Sequence, residues 1–409
     1  MMMNPKEGRP RNASFQRSAG EALMQFEFAT ATRIIFGEGT LQQVAPVIRQ
    51  WGRQVLVVTG HASDRANGLL TAIEAVGAKG VTFPVESEPT TDLIARGLQL
   101  AREWQCDVVV ATGGGSVIDA GKAIAALLTN PGDVMEYLEV VGKGKPLTNL
   151  AAPFIAVPTT AGTGTEVTRN AVLGVPERQV KVSLRSPLLL PRLAVVDPEL
   201  TLGLPPTVTA RTGLDALTQL IEAYVSIRSN PVTDGFCMQG IPLAARSLRQ
   251  AFHHGHDPGA RRDMSLAALF SGLALANAGL GVVHGFAAPL GGRFPAPHGA
   301  ICAAILPNGM EINLRALRAR TPQSDALSRF QELARILTGR GDASAEDGIA
   351  WTRELCQELE IPPLKAYGMG EEDVTLLITE AAKASSMKGN PLALTPEELR
   401  EVITRSIAG

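Results

Sequence analysis

Disulfide frameworks and cysteine metal motifs have little to work with in this chain. Only four of its 409 residues are cysteine (Cys106, Cys237, Cys302 and Cys356), and they are scattered, with no C-x-x-C pair and no metal spacing. A reducing cytoplasm is the setting this usage predicts. Aromatic residues make up 4% of the chain, which argues against a surface that stacks peptides or sugars. Charge of one sign is also missing. The 38 Lys and Arg stand against 40 Asp and Glu, so nothing in the charge balance points to nucleic acid or anionic lipid as a partner. No apolar run approaches the ~20 residues needed to span a bilayer, so no membrane partner is expected either. The polar segment from Met1 to Gly20 carries Arg9, Arg11 and Arg17 without an apolar stretch, and reads as a flexible tail over 1–24 rather than a signal peptide. What the chain does have is Ala, Leu, Val and Gly in quantity, which suits a tightly packed α/β protein.

From Phe26 onward short runs rich in Val and Ile alternate with helical periodicity. Arg33–Phe36, Gln54–Thr59, Gly80–Pro84, Asp107–Ala111, Phe154–Val157 and Leu193–Val196 read as strands. Leu41–Arg49, Gly68–Val76 and Thr91–Trp104 read as helices between them, and Ala171–Val175 with Val180–Ser183 reads as a β-ribbon. Such alternation predicts a parallel sheet covered on both faces, with ligands at the carboxyl ends of its strands. After Asp197-Pro198 the pattern changes. Helices are expected at Val208–Ser226, Pro231–Phe252, Arg261–Ala278, Ala300–Arg318, Ser324–Leu337, Glu346–Leu359, Glu371–Ala384 and Pro396–Ile407, with no strand among them. The expected organisation is the tail 1–24, an α/β domain over 25–205 and an all-α domain over 206–409, with a ligand cleft between the two domains.

Three clusters carry chemistry. The run Gly113-Gly114-Gly115-Ser116-Val117-Ile118-Asp119-Ala120-Gly121-Lys122 follows an apolar strand and opens a helix. Glycines there let backbone approach an anion, and the first N–H groups of a helix hold it. The spacing is neither a Rossmann fingerprint nor a P-loop, and a plain tight turn is the competing reading. Thr159-Thr160-Ala161-Gly162-Thr163-Gly164-Thr165-Glu166 sits at the end of another strand. It offers hydroxyl and N–H donors to ribose or phosphate, or forms only a turn and a helix cap. In the helical half, Asp215 and Gln219 share a helix face at i and i+4, while His284 and His298 lie at or near helix starts. One carboxylate and two imidazoles suit a divalent cation, with Gln219 able to add a carbonyl oxygen. Packing or capping is the alternative role for the two histidines.

Taken together, these runs resemble the iron-containing (type III) alcohol dehydrogenase family over about residues 26–409. They are Gly113–Ser116 with Asp119 and Lys122, Pro158–Glu166, Asp197-Pro198, Gly213-Leu214-Asp215-Ala216-Leu217, and Gly279–Gly285 through Pro297-His298-Gly299. The resemblance implies a dehydroquinate-synthase-like architecture, with an α/β dinucleotide-binding domain over 25–205 and an all-helical metal and substrate domain over 206–409. It implies an NAD(P)-dependent oxidoreductase acting on a small alcohol or aldehyde, and a homodimer. Gly114, Gly115, Ser116 and Asp119 match the family's pyrophosphate and nicotinamide-side loop. Thr159, Thr160 and Thr163 match its second cofactor loop, and Lys181 a lysine near the cofactor ribose. Asp215, His284 and His298 match three of four metal ligands and so carry the catalytic assignment.

The chain departs from the family at two positions. Gln219 stands where the family has its remaining histidine ligand, four residues after the aspartate, so iron affinity is expected to fall and zinc or a metal-free site gains weight. Ala288 stands where many members carry a proton-relay histidine; His61, His253, His254 and His256 do not obviously replace it. After Val57-Val58-Thr59 the chain has Gly60, with His61, Ser63 and Arg65 nearby and no carboxylate to repel a 2′-phosphate. NADP(H) is therefore expected to be accepted. The rival readings are a lyase of the dehydroquinate-synthase type, a maleylacetate-reductase-like enzyme, and a nucleotide-binding protein whose metal site has decayed.

Overall fold

The computed structural model describes residues 25–60, 63–178 and 180–409. The expected tail over 1–24 and His61 lie outside the described residues, as do the side chains of Ser63 and Arg65. The first half holds strands β1 (Ile34–Phe36), β2 (Gln54–Thr59), β3 (Lys79–Pro84), β4 (Val108–Gly113), β5 (Phe154–Pro158), β6 (Asn170–Val175), β7 (Val180–Arg185) and β8 (Leu193–Val196). Helices α1 (Val44–Trp51), α2 (Ser63–Ala75), α3 (Thr91–Glu103) and α4 (Gly115–Thr129) alternate with them. Six strands form one parallel sheet in the order β1-β8-β5-β4-β2-β3. Strands β6 and β7 make a separate antiparallel ribbon, longer by Asn170, Leu184 and Arg185 than the sequence pattern predicts.

The strands read as unbroken apolar runs because both faces of the sheet are buried. Leu56, Val58, Val109, Ala111 and Ala156 pack with Ile94, Ile118 and Ile124 of α3 and α4. Val55, Val57, Val108, Val110, Ile155 and Val157 pack on the other side with Val44, Ile48, Leu69 and Ile73 of α1 and α2. Register sets where a ligand can sit. Thr59 pairs with Thr112 and Gly113 with Pro158, so β2, β4 and β5 end level. The chain leaves β2 outward through β3 and returns to β4 on the opposite side. That reversal opens a crevice between the carboxyl ends of β2 and β4, where open α/β sheets bind ligands.

Beyond β8 the described residues are helical: α5 (Pro206–Val225), α6 (Pro231–His253), α7 (Pro258–Ala278), α8 (Val282–Arg293), α9 (His298–Arg320), α10 (Asp325–Thr338), α11 (Ala345–Glu358), α12 (Val374–Ala381) and α13 (Pro396–Ala408). Helix α5 is buried on nearly every side from Gly213 to Val225, and the bundle's core is built around it. The sequence pattern gives a helix start near His284 but not the extent of α8. Its Gly285, Pro289, Gly291 and Gly292 are poor helix formers, and burial of Val282, Val283, Phe286 and Leu290 holds it instead. Among the described residues no single helix is long and apolar enough to cross a membrane. Helices α7 and α8 pass such a test only together, across a bend of 99°.

Candidate active site

The site is built where the sheet's carboxyl edge meets α5, α7, α8 and α9. Level strand ends bring Gly60, Gly114–Ser116 and Thr159–Thr163 side by side; Gly60, Gly114, Gly115, Ser116, Thr159, Thr160 and Thr163 are all half-buried. Helix α4 starts at Gly115 without a side-chain cap, which leaves its first N–H groups without intrahelical partners. The two loops touch: Thr159 N–H donates to the Gly113 carbonyl at 2.9 Å. A Cβ at Gly115 would come within 2.9 Å of Thr163 Oγ1. Only glycine allows this approach.

Asp119 differs from the other expected cofactor residues. It is buried, and both carboxylate oxygens already hold protein donors, Thr165 Oγ1 at 2.6 Å and Val172 N–H at 2.9 Å. Its neighbour Lys122 is fully buried and donates to Thr165 Oγ1 at 3.0 Å, Thr168 Oγ1 at 2.8 Å and the Asn170 carbonyl at 2.9 Å. The structure thus gives this pair a fastening role: they tie α4 to the threonine loop beneath the half-buried surface. Burial lowers the Lys122 ammonium to about 8, against the pull of Asp119 and Glu166. Burial likewise raises the Glu166 carboxyl to about 7. Lys181, on β7, pairs with Glu88 at 3.3 Å, and its Nζ would lie 3.3 Å from a Cβ at Gly291 on α8.

The threonine loop rests directly on the helical half. Gly164 has φ +59°, and a Cβ there would meet Gly272 Cα of α7 at 2.5 Å; at Gly162 one would meet Thr212 Cβ of α5 at 2.7 Å. One turn along α5 from Thr212 comes Asp215, and the N-terminus of α9 crosses α5 so closely that a Cβ at Gly299 would overlap the Arg211 carbonyl. His298 is thereby set beside Asp215. Asp215 Oδ1 lies 3.3 Å from His284 Nε2 and 3.7 Å from His298 Nε2.

The structure adds two residues that the sequence reading does not include. Glu222, two turns after Asp215 on α5, accepts from the Val283 N–H at 2.7 Å and the His284 N–H at 3.3 Å, and its Oε2 lies 2.7 Å from His284 Nδ1. It caps α8 and orients the imidazole, turning Nε2 toward Asp215. Its only sequence signal is the i+7 spacing from Asp215. Cys302 corrects the expectation that no cysteine stands at a metal spacing. Its Sγ is 3.7 Å from both His284 Nε2 and His298 Nε2, and ligand atoms of Asp215, His284, His298 and Cys302 all lie within 4.8 Å of one another. The signal was His298-x-x-x-Cys302, one helical turn on α9.

Gln219, the expected fourth ligand, is buried with Oε1 2.7 Å from the Ser271 hydroxyl of α7. Of the other histidines, His253 faces Glu358 of α11 at 3.4 Å, and Ala288 brings no polar group to its position. Electrostatics sets the cluster apart from the remaining thiols. Burial pushes Cys106 up to about 11 and Cys356 up to about 12. At Cys302 burial acts in the same direction, but His284 and His298 outweigh it and hold the thiol below its ordinary value. Burial disfavours the charged form of His298, yet Cys302 and Asp215 raise it to about 9. The donor set fits a divalent cation: an oxygen, two imidazole nitrogens and a sulfur converge on one point, with a carboxylate orienting one imidazole from behind.

A parallel sheet whose carboxyl edge suits a dinucleotide, joined to a helical bundle that presents cation ligands to that edge, defines a class of oxidoreductase. Comparison with known proteins resolves the class. Residues 31–198 match the model of iron-containing alcohol dehydrogenase, and residues 209–407 match that of the C-terminal part of the Fe-containing alcohol dehydrogenase family. The chain belongs to the iron-containing alcohol dehydrogenase family. It is 36% identical over 377 residues to alcohol dehydrogenase 4 of Saccharomyces cerevisiae (strain YJM789), covering 91% of this chain and 96% of that protein. It is 38% identical over 328 residues to 1,3-propanediol dehydrogenase of Klebsiella pneumoniae, covering 79% of this chain and 81% of the relative. Among solved structures, a 1,3-propanediol oxidoreductase superposes with a TM-score of 0.86 at 34% identity, covering 94% of this chain and 100% of its own. An alcohol dehydrogenase from Oenococcus oeni does so with a TM-score of 0.86 at 33% identity, covering 93% and 100%.

Proposed function

We propose that this alcohol dehydrogenase moves hydride reversibly between NADP(H) or NAD(H) and a small alcohol or aldehyde, at a divalent cation held by Asp215, His284 and His298. The observation that carries the reading is the convergence of those three side chains on helices packed against the glycine and threonine loops. When bound, the cation supplies Lewis-acid polarisation of an alcohol or carbonyl oxygen. The protein supplies position. Asp215 brings the negative charge that draws a cation, and Glu222 keeps His284 Nε2 turned inward. The N–H groups of Gly115 and Ser116 and the hydroxyls of Thr159, Thr160 and Thr163 suit the pyrophosphate and the nicotinamide side of the dinucleotide. Gly60 leaves room for a 2′-phosphate, and Lys181 offers a cation near the ribose. Ala288 has no exchangeable proton, so proton exchange at that position is left to solvent.

The test is oxidation of NADPH and NADH by purified protein with a panel of short aldehydes, after loading with Zn(II) and, anaerobically, with Fe(II). Metal-dependent consumption of NADPH is expected. Catalytic efficiency with NADH far above that with NADPH would contradict the reading of Gly60. His284→Ala is expected to lose both bound metal and turnover, and retention of both would remove His284 from the site. The same reading includes a homodimer, which light scattering on a sizing column tests. It also includes a cytoplasmic setting, supported by four cysteines that are all free of disulfides.

A further inference from the structure

We propose that Cys302 is the fourth ligand of the cation site, in place of the histidine that is absent at Gln219, and that its thiolate turns the site toward zinc and away from iron. The inference rests on the reading that Asp215, His284 and His298 hold a divalent cation. It goes beyond that reading by assigning the remaining ligand and the preferred metal.

Four ligand-to-ligand distances fit the edges of a tetrahedron. Usual zinc bond lengths and a tetrahedral angle place neighbouring nitrogen and oxygen ligands roughly 3.3 Å apart, and sulfur and nitrogen roughly 3.6 Å apart. The observed edges are 3.3 Å and 3.7 Å from Asp215 Oδ1 to the two imidazoles. From Cys302 Sγ they are 3.7 Å and 3.7 Å to the same two nitrogens. A cysteine that only filled core space would face apolar neighbours, as a small hydrophobe does. Cys302 is fully buried but faces three ligand atoms. Its placement follows from α9, where His298 and Cys302 are one turn apart on the face turned to α5 and α8.

Gln219 is held elsewhere, its amide tied to Ser271 on α7, whose hydroxyl also lies 2.8 Å from the Ala268 carbonyl and 3.3 Å from the Gly162 carbonyl. It links α5 to α7 and to the threonine loop, a packing role. Charge makes the exchange consequential. An aspartate with three neutral imidazoles leaves a divalent cation with a net charge of about +1, whereas aspartate and thiolate with two imidazoles bring the sum to about zero. Thiolate is also the softer donor, which favours zinc over ferrous iron among the divalent metals a cell supplies.

Cobalt(II) reads the ligand directly. The metal-free full-length protein would be titrated with Co(II), following the visible ligand-field bands and the near-ultraviolet thiolate-to-cobalt charge transfer. The wild-type protein is expected to bind one cobalt per chain and show both features. Cys302→Ser is expected to lose the charge-transfer band, and its preference for Zn(II) over Fe(II) in competition is expected to fall roughly 10-fold or more. Gln219→Ala is expected to keep the band. NADPH fluorescence enhancement at the cofactor loops shows that each variant is folded. Cobalt bound by the wild type without charge transfer would overturn the Cys302 assignment and leave the three-residue cation site standing. Failure of folded wild-type protein to bind cobalt would overturn both. Loss of cobalt from Gln219→Ala with full retention in Cys302→Ser would return the fourth position to Gln219 and overturn the proposal. If Cys302→Ser does not fold, the wild-type spectrum decides alone.

Discussion

At the scale of single residues, the site depends on groups that never face the ligand. Glu222 is buried and holds two N–H groups of α8 together with His284 Nδ1. Outer partners of this kind fix the tautomer and orientation of a metal-binding imidazole, and their loss typically costs about 10–100-fold in metal affinity. Glu222→Gln should therefore weaken zinc binding by roughly that factor while cofactor binding stays unchanged, as competition with a chromogenic chelator and NADPH fluorescence would show. An unchanged zinc affinity would mean that the helix alone positions His284. This is also the scale at which the sequence was least legible. Asp215, His284 and His298 stand in motif runs, and the structure brings their ligand atoms together. Cys302 and Glu222 stand in helices that read as plain apolar or mixed segments, and only a spacing of four or seven residues connects them to the motifs. Such spacings are common in any helix, so they carry information only when the crossing of α5, α8 and α9 is known.

At the scale of elements, the central contact is between the threonine loop and α7. Gly164 has left-handed backbone, and a methyl group there would meet Gly272 Cα at 2.5 Å. Gly164→Ala combines overpacking with a left-handed alanine, about 3 kcal/mol together. The expected outcome is a lower unfolding midpoint and a raised KM for the dinucleotide. A variant with wild-type KM would show that the loop is not positioned from α7.

Beneath that loop lies the buried set of Lys122, Asp119 and Glu166. Glu166 has its carboxyl raised by burial from 4.5 to about 7, so between those values the folded protein keeps a proton that the unfolded chain has lost. Stability is fully present below the lower value and falls as pH rises through the higher one, by ~3 kcal/mol at most. Lys122 is lowered from 10.5 to about 8; there the unfolded chain holds the extra proton, and stability recovers as pH rises through that window. Thermal midpoints measured from pH 5 to 6.5, below the range where His298 adds a slope of the same sign, should decline in the wild type and decline less in Glu166→Gln. Equal slopes would show that Glu166 does not titrate in this range. The sheet strands were legible because each is an apolar run with both faces buried. The extent of helix α8 was not, since its stability comes from burial and from Glu222 rather than from the propensity of a segment rich in glycine and interrupted by proline.

At the scale of the whole molecule, two halves divide the chemistry. On the proposed reading, the sheet edge supplies the anion site through backbone N–H groups and hydroxyls, and the helical bundle supplies the cation site. The Gly162 and Gly164 contacts hold the two together. The division predicts that removing the cation leaves dinucleotide binding in place. Chelator-treated protein should enhance NADPH fluorescence with a Kd within about 3-fold of the loaded form, since the cofactor loops hold no cation ligand. Loss of binding on chelation would mean that the loops depend on the cation site for their shape. Balanced charge argues against nucleic acid and anionic lipid, and scarce aromatics against a stacking surface, but neither locates a site. Which side chains complete the site is decided by packing among distant helices, and composition carries no trace of it.

The central claim is that Asp215, His284 and His298 hold the cation on which hydride transfer depends. The most direct measurement is a titration of chelated, metal-free enzyme with Zn(II), monitored as NADPH consumption with a short aldehyde already shown to be turned over. Activity should rise from near zero and reach its plateau at one equivalent per chain, with no rise in Asp215→Ala. Full turnover by metal-free enzyme, or an equal rise in Asp215→Ala, would contradict the account.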